Sequence, residues 1–329
     1  MSNIYNFALL GHPIGHSRSP ELHREFLKQK SLKGDYILID TPPAKLHDHI
    51  YHLRDLGFRG ANITIPHKEA VLEILDEHHD NSDHAPGEKS PIVPKKLSAC
   101  NTIEFAPSGK IIGYNTDEIG FRESLLEHQE YRRYIASRRN THEKIIILGT
   151  GGSAITLARE LGSWGSKNIT FVTRKRLDIP AQCDLQEKCA VSSGKRISAS
   201  PTHQEIGIHN EEGKGIERGR IGGGLAITYK DIKSHIEDNG EHIAMILNCT
   251  PVGMHGHSEG LSPLPDDFPW EELPKHCLVY DLIYNPEETE LLKQARAHGL
   301  PTQNGLRMLR LQAAAAFEIW TGKKLVDLR

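Results

Sequence analysis

KIIILGTGGSAITLARELGSWGSKNITFVTRKR, residues 144–176, packs two apolar runs and a glycine turn into thirty-odd positions. Lys144–Leu148 is apolar and β-branched, which predicts a buried strand. Gly149, Gly151, Gly152, Ser153 and Ala154 follow at once, and Ile155, Ala158, Leu161 and Trp164 then recur at helical spacing. Asn168–Thr173 predicts the next parallel strand. A strand that turns straight into a helix needs φ freedom at Gly149, and a diphosphate reaches the backbone only where Gly151 carries no side chain. A small residue at Ala154 lets helix and strand pack closely, and the helix N-terminus offers unpaired N–H groups to a phosphate. A strand–glycine turn–helix–strand unit of this kind predicts a dinucleotide site, against the alternative of a structural glycine turn.

The end of the second strand says which dinucleotide. An NAD site places Asp or Glu about 20 residues past the glycines, on the ribose 2′-hydroxyl. Here stand Thr173, Arg174, Lys175 and Arg176, and the first acid is Asp178. A guanidinium and an ammonium at that point suit a 2′-phosphate and favour NADP. The competing reading is a solvated basic turn.

Outward from this unit, 329 residues suffice for two domains and a sizeable core. An apolar fraction of 37% is low for a compact enzyme and points to polar insertions. The formal charge of −3 provides no global basic field for nucleic acid or an anionic membrane. No apolar run reaches the length of a membrane span, and the N-terminus carries no signal-peptide pattern. Five cysteines fit no C-x-x-C spacing, so free thiols in a reducing cytoplasm are expected. The twenty histidines lack a matching Cys or Glu framework, and no metal site is expected.

Along the chain, Ile4–Leu10 predicts a strand, and Ser19-Pro20 a helix start with serine as cap and Leu22, Phe26 and Leu27 buried. Ser17 and Ser19 read either as helix-end hydroxyls alone or as ligands for an anion. Tyr36–Asp40 predicts a strand, Ala44–Leu56 a helix stopped at Gly57, and Gly60–Ile65 a strand leading into a helix Lys68–Asp76. Asn62, Thr64 and Lys68 thus cluster where a parallel strand ends, the place where α/β folds put ligands. Asn81–Lys96 is a polar loop. Asp117 reads by sequence grammar as the N-cap of a helix starting near Glu118. Gln186–Gly224 carries no convincing period and predicts a long polar excursion. Order is expected to resume with the strand Ile243–Leu247, then the strand Leu278–Ile283, a helix opened by Asn285-Pro286 with Glu288 as capping-box acid, and a last helix Gly305–Trp320.

Seven segments together resemble the shikimate dehydrogenase family: GxPxxHSxSPxxH at Gly11–His23, NxTxPxK at Asn62–Lys68, NTI at Asn101–Ile103, YNTDxxG at Tyr114–Gly120, the glycine turn, NxTxxGM at Asn248–Met254, and GxxMLxxQAAxAF at Gly305–Phe317. The chain has His23-Arg24 where that family often has His-Asn, and Thr173-Arg174-Lys175 where it often has Asn-Arg-Thr. The resemblance implies an α/β protein of two domains. One is an N-terminal substrate-binding domain, 1–116 with 305–329, whose C-terminal helix returns to it. The other is a Rossmann-like, doubly wound NADP domain, 117–304, with an insertion at 186–224. It implies reversible reduction of 3-dehydroshikimate by NADPH, a step of aromatic amino acid biosynthesis. Lys68 and Asp117 are implied as catalytic. Ser17, Ser19 and Thr64 would hold the substrate carboxylate with Tyr284 near, and Asn62, Asn101 and Gln312 the rest of the ring. The cofactor would lie on Gly149, Gly151, Gly152, Ser153, Ala154, Thr173, Arg174, Lys175, Thr250, Gly253, Gly305 and Met308, with Gly253 and Met308 bordering the nicotinamide. A homodimer is compatible with these expectations. Two rival readings stay open: an NAD-using quinate or quinate/shikimate dehydrogenase, and a non-catalytic metabolite sensor on the same fold.

Overall fold

The computed structural model describes residues 4–15, 17–79, 97, 99–128, 143–166, 168–174, 219–221, 224–326 and 328. The chain forms two compact units, Met1–Arg132 with Arg307–Arg329, and Arg133–Leu306. The first boundary falls later than the expected 116/117. Its cause is the helix over Thr116–Leu126, which buries Phe121 and Leu125 completely in the first unit.

The first unit is built on β1 (Ile4–Gly11), α1 (Ser19–Gln29), β2 (Lys33–Asp40), α2 (Leu46–Asp55), β3 (Gly60–Ile63), β4 (Glu77–His78), β5 (Thr102–Phe105), β6 (Ile111–Tyr114) and α3 (Thr116–Leu126). Its sheet runs β2-β1-β3-β5-β6-β4, parallel from β2 to β3 and antiparallel through β5 and β6. Alternate residues of β1 serve two cores. Phe7 and Leu9 pack with Leu22, Phe26, Phe317 and Trp320, whereas Ala8 and Leu10 pack with Leu46, Ile50, Ile63 and Ile103. Leu56 is 61% exposed and lies past the end of α2, so the apolar stripe of that helix stops at Leu53. The expected helix Lys68–Asp76 shrinks to a single 3-10 turn, Ala70–Glu73. The chain is drawn into the sheet directly afterwards, since Asp76 N–H donates to Ile111 O and Ile111 N–H to Asp76 Oδ2.

The second unit holds β7 (Lys144–Leu148), α4 (Gly152–Ser163), β8 (Asn168–Thr173), β9 (Gly219–Ile221), β10 (Gly224–Thr228), α5 (Ile232–Asn239), β11 (Ile243–Asn248), β12 (Leu278–Asp281), α6 (Glu290–Ala297) and β13 (Thr302–Gln303). The sheet order is β13-β12-β11-β7-β8-β10-β9, parallel except for β9 at the edge. Two parallel halves meet between β7 and β11, the doubly wound arrangement in which ligands bind past the strand ends at the switch point. Ile145–Leu148 are at most 1% exposed. Two expectations are corrected here. In α4 the buried apolar positions are Ala154, Leu157, Ala158 and Leu161, with Ile155 and Trp164 only half-buried. Order also resumes before Ile243, because β9 and β10 extend the sheet and Ile232 and Ile236 of α5 are fully buried against it. Residues 81–96 and 186–218 lie outside the described residues. The last helix, α7 (Leu306–Thr321), belongs to the first unit. There Trp320 Nε1 donates to Ile103 O at 2.9 Å, and Gly60 must be glycine because a Cβ would sit 2.1 Å from that indole nitrogen.

Candidate active site

In the first unit, β3 ends at Ile63 and delivers Thr64 and, through the turn at Pro66, Lys68. The backbone carbonyl of Lys68 accepts from Cys100 N–H at 2.8 Å, which ties this turn to the start of β5. Lys68 Nζ donates to Asp117 Oδ2 at 2.6 Å, with side chains 19% and 14% exposed. Asp117 is not the N-cap. Asn115 accepts from the Asp117 N–H and caps α3, which leaves the Asp117 carboxylate free to turn toward Lys68. Asn101 Nδ2 donates to Asp117 Oδ1 at 2.8 Å, while Asn101 Oδ1 accepts from Thr116 N–H at 2.7 Å and from the Thr102 hydroxyl at 3.0 Å. Gln312 joins the same group, accepting from Thr116 Oγ1 at 3.3 Å. That approach depends on Gly120, where a Cβ would stand 2.6 Å from Met308 O and 2.8 Å from Gln312 Cβ. Asn62 Nδ2 donates to Thr102 Oγ1 at 2.9 Å. The structure therefore brings Lys68, Asp117, Asn101, Gln312 and Asn62 into one hydrogen-bonded set.

Ser17 and Ser19 form a second group, with Ser17 Oγ donating to Ser19 Oγ at 3.1 Å. Ser19 does not cap α1. It occupies the first helical position, and its own N–H donates to Ser17 Oγ, so the cap-like role falls to Ser17. Thr64 is half-buried, and its methyl fills the place of a side chain at Gly11, where a Cβ would lie 2.3 Å from Thr64 Cγ2. Tyr284 belongs to the second unit and is half-buried there.

In the second unit the glycine turn follows β7 directly. Gly149 has φ of +99°, and a Cβ on it would come within 3.0 Å of Thr250 Cγ2. A Cβ on Gly151 would meet no protein atom within 4 Å, so packing does not demand the bare backbone there. Among the described residues no side chain caps α4, and Gly152, Ser153 and Ala154 form its first turn. An uncapped helix N-terminus behind an unobstructed glycine fits a diphosphate. Thr173 ends β8 and Arg174 is exposed beyond it; Lys175 lies outside the described residues. Gly253 has φ of +101°, and Gly305 is demanded by the backbone, since a Cβ would stand 1.9 Å from Leu282 O. Met308 is 8% exposed in α7.

Several contributors escaped the sequence reading. Thr102 and Thr116 carry the Asn101 contacts, yet a threonine in a strand or at a helix start shows only ordinary propensity. In the second unit Asp281 is fully buried. It accepts from Asn248 Nδ2 at 2.9 Å, Thr289 Oγ1 at 2.7 Å and Ile283 N–H at 3.0 Å. Asn248 Oδ1 in turn accepts from Thr250 N–H and hydroxyl at 3.0 and 2.7 Å, which fixes the turn after β11. Burial pushes the Asp281 carboxyl up to about 6, against the hydrogen bonds from Thr289, Ile283 and Asn248. Thr289, not Asn285, caps α6, its hydroxyl accepting from Leu292 N–H.

The family described as the shikimate dehydrogenase substrate binding domain matches residues 9–86. A shikimate dehydrogenase (NADP(+)) of Symbiobacterium thermophilum is 34% identical over 316 residues, which cover 96% of this chain and 88% of that one. The chain belongs to the shikimate dehydrogenase family. Among solved structures, the shikimate 5-dehydrogenase of Thermus thermophilus in complex with NADP(H) and shikimate is 28% identical, with a TM-score of 0.65 over 98% of this chain and 95% of its own. The quinate dehydrogenase of Corynebacterium glutamicum in complex with NAD is 25% identical, with a TM-score of 0.70 over the same shares of the two chains. Both sides of the shikimate–quinate divide are thus represented among its structural neighbours. No helix among the described residues is long and apolar enough to cross a membrane.

Proposed function

We infer that the protein is an NADP-dependent shikimate dehydrogenase that converts 3-dehydroshikimate and shikimate reversibly on the route to aromatic amino acids. The observation that carries this reading is the Lys68–Asp117 pair, held by Asn101 at the carboxyl end of β3 in a chain alike to such enzymes over nearly its whole length. When bound, NADPH supplies the hydride. The oxygen of a reduced ketone gains negative charge and needs a proton. Lys68 Nζ gives that proton, one N–H bond breaking as the O–H bond forms, and regains it from water at its partly exposed head. Asp117 holds the ammonium in place. Ser17, Ser19 and Thr64 bind the carboxylate, while Asn62, Asn101 and Gln312 favour a polyol, since hydroxyl-matched sites reject analogues that lack the hydroxyl.

Gly149, Gly151, Gly152, Ser153 and Ala154 hold the diphosphate. Thr173 and Arg174 face the 2′-phosphate side, and Lys175 is assigned there from the resemblance alone. Thr250 and Gly305 keep the cofactor assignments, Gly253 and Met308 the nicotinamide assignments and Tyr284 the substrate assignment that the resemblance implies. The reading gives no step to a metal, a nucleic acid or a membrane. The free thiols of Cys100, Cys249 and Cys277 support a cytoplasmic setting. The test is kcat/KM by absorbance of the reduced nucleotide, with shikimate or quinate and with either NADP or NAD. Shikimate with NADP is expected to be the best pair. A preference for quinate or NAD would put the quinate dehydrogenase reading first, and no turnover with any pair would leave the sensor.

A further inference from the structure

Tyr36 lies in β2, one strand removed from β3. It pairs with Phe7, while Asn62 pairs with Leu9, so the phenol must cross the face of β1 to reach Asn62. Two strand spacings are roughly 9–10 Å, a gap that a tyrosine and an asparagine reaching toward each other can close. They close it: Tyr36 OH donates to Asn62 Oδ1 at 2.8 Å, with Tyr36 fully buried. The ring is clamped flat on His23, with centroids 4.2 Å apart and planes 5° from parallel. Neither His23 ring nitrogen has a partner of good hydrogen-bond geometry among the described residues; burial lowers its pKa to about 3 against the raising effect of the neighbouring Asn62 amide, so it packs as a neutral ring. Burial pushes the Tyr36 phenol up, which keeps it a neutral donor.

Backbone groups fix the orientation of both amides in this group. Asn62 Nδ2 faces the Asn101 carbonyl at 3.2 Å, which can only accept, so Asn62 Oδ1 must face Tyr36 and the phenol must donate. Thr102 Oγ1 accepts from Asn62 Nδ2 and donates to Asn101 Oδ1 at 3.0 Å, with the Thr116 hydroxyl beside it at 3.1 Å. Asn101 Oδ1 also faces the Thr116 N–H, which can only donate, so Asn101 Nδ2 points at Asp117. Donation along this line thus runs from Tyr36 through Asn62, Thr102 and Asn101 to the Asp117 carboxylate, which accepts from Lys68 on its other oxygen. At the start of the line the Ser19 hydroxyl adjoins the Tyr36 phenol.

We propose that Tyr36 is a positioning residue of this site, whose hydroxyl holds the Asn62 amide so that Thr102 stays committed to Asn101 and Asn101 to the Lys68–Asp117 pair. Its catalytic consequence rests on the reading under Proposed function. Without the phenol, Asn62 Oδ1 is buried with no donor. The Thr102 hydroxyl already touches the same amide, and turning it to that oxygen withdraws it from Asn101. The cost therefore appears two residues away from the lost atom.

The test compares the parent with Tyr36→Phe, which keeps the ring on His23, with Thr102→Val, which cuts the line elsewhere, and with the double variant. Two readouts are taken: steady-state kinetics with shikimate and NADP, and the side-chain amide signals of Asn101 by NMR. Tyr36→Phe is expected to lower kcat roughly three- to tenfold, the weight of one buried neutral hydrogen bond. KM for NADP should stay at the parent value and the Asn101 amide signals should move. The double variant should lose no more than the worse single one, because both cut one line. Unmoved Asn101 signals, or losses in kcat that multiply in the double variant, would overturn the proposal; Thr102→Val decides the same question should Tyr36→Phe fail to fold. A parent with no turnover overturns the enzymatic reading alone, and the Asn101 signals then decide whether the line exists.

Discussion

Lys68 shows how much of a site can hang on one side chain. It follows a strand end, its backbone is tied to Cys100, and its ammonium donates to the Asp117 carboxylate at 2.6 Å. Replacing it by alanine is expected to lower kcat by about 10²–10⁴ with a far smaller change in substrate KM, the signature of a lost proton donor. Activity within a few-fold of the parent would remove Lys68 from the mechanism. Arg174 makes the matching argument for the cofactor. A charged hydrogen bond to a 2′-phosphate is worth on the order of 1.5–3 kcal/mol, or roughly ten- to a hundredfold in affinity. Arg174→Ala should raise KM for NADP by that order, leave kcat nearly constant and leave NAD use unchanged. Because Arg174 is exposed, added salt should weaken NADP binding more in the parent than in the variant. Equal KM values for NADP in the two proteins would reduce Arg174 to a solvated turn residue. Asp117 is the counterexample to legibility at this scale. Its spacing before a helix reads as a cap, and only the position of Asn115 shows that the capping is done elsewhere.

Among the elements, the carboxyl ends of β11 and β12 are joined by the buried Asp281, which accepts from Asn248, Thr289 and the Ile283 amide. Its carboxyl is raised from 3.8 to about 6 in the folded protein, with burial as the cause. Between those values the folded state binds more protons than the unfolded state, so this group's contribution to stability falls as pH rises through the window. A shift of this size corresponds to on the order of 3 kcal/mol. Urea unfolding at several pH values from 4 to 7 should therefore show a falling component in the parent that is absent in Asp281→Asn. The same slope in both proteins would mean that Asp281 ionises in the fold as it does in the open chain. The elements the sequence misjudged are short ones under tertiary control. The segment after Lys68 contains the helix-like run Val71–Leu75, but two hydrogen bonds between Asp76 and Ile111 pull it into the sheet after one turn.

For the whole molecule, the two units divide the proposed site: the Lys68–Asp117 group lies in the first and the glycine turn in the second. A ligand that binds only the folded protein stabilises it by ~2.7 kcal/mol at a hundredfold excess over its Kd. NADP should accordingly raise the midpoint of thermal unfolding by several degrees, and NAD at the same concentration by clearly less. An equal rise with both nucleotides would contradict the cofactor assignment without touching the fold. In Arg174→Ala the NADP shift should shrink to that of NAD, which links this measurement to the kinetic one.

The β7–α4–β8 unit was legible from residues 144–173 alone, because strand period, glycine φ freedom and helix spacing are local properties. Arg174 in place of an acid was legible for the same reason. Tertiary structure alone decided which polar side chains meet. Asn62 finds Thr102 forty residues away through the antiparallel register of β3 and β5, and Thr116 finds Gln312 across 196 residues because Gly120 lets α3 approach α7. It also decided that Tyr36 belongs to that set. A tyrosine in an edge strand carries no sequence mark of a role. Its hydroxyl acquires one because β1 lies between two strands whose side chains must reach over it, and a buried amide oxygen there needs a donor.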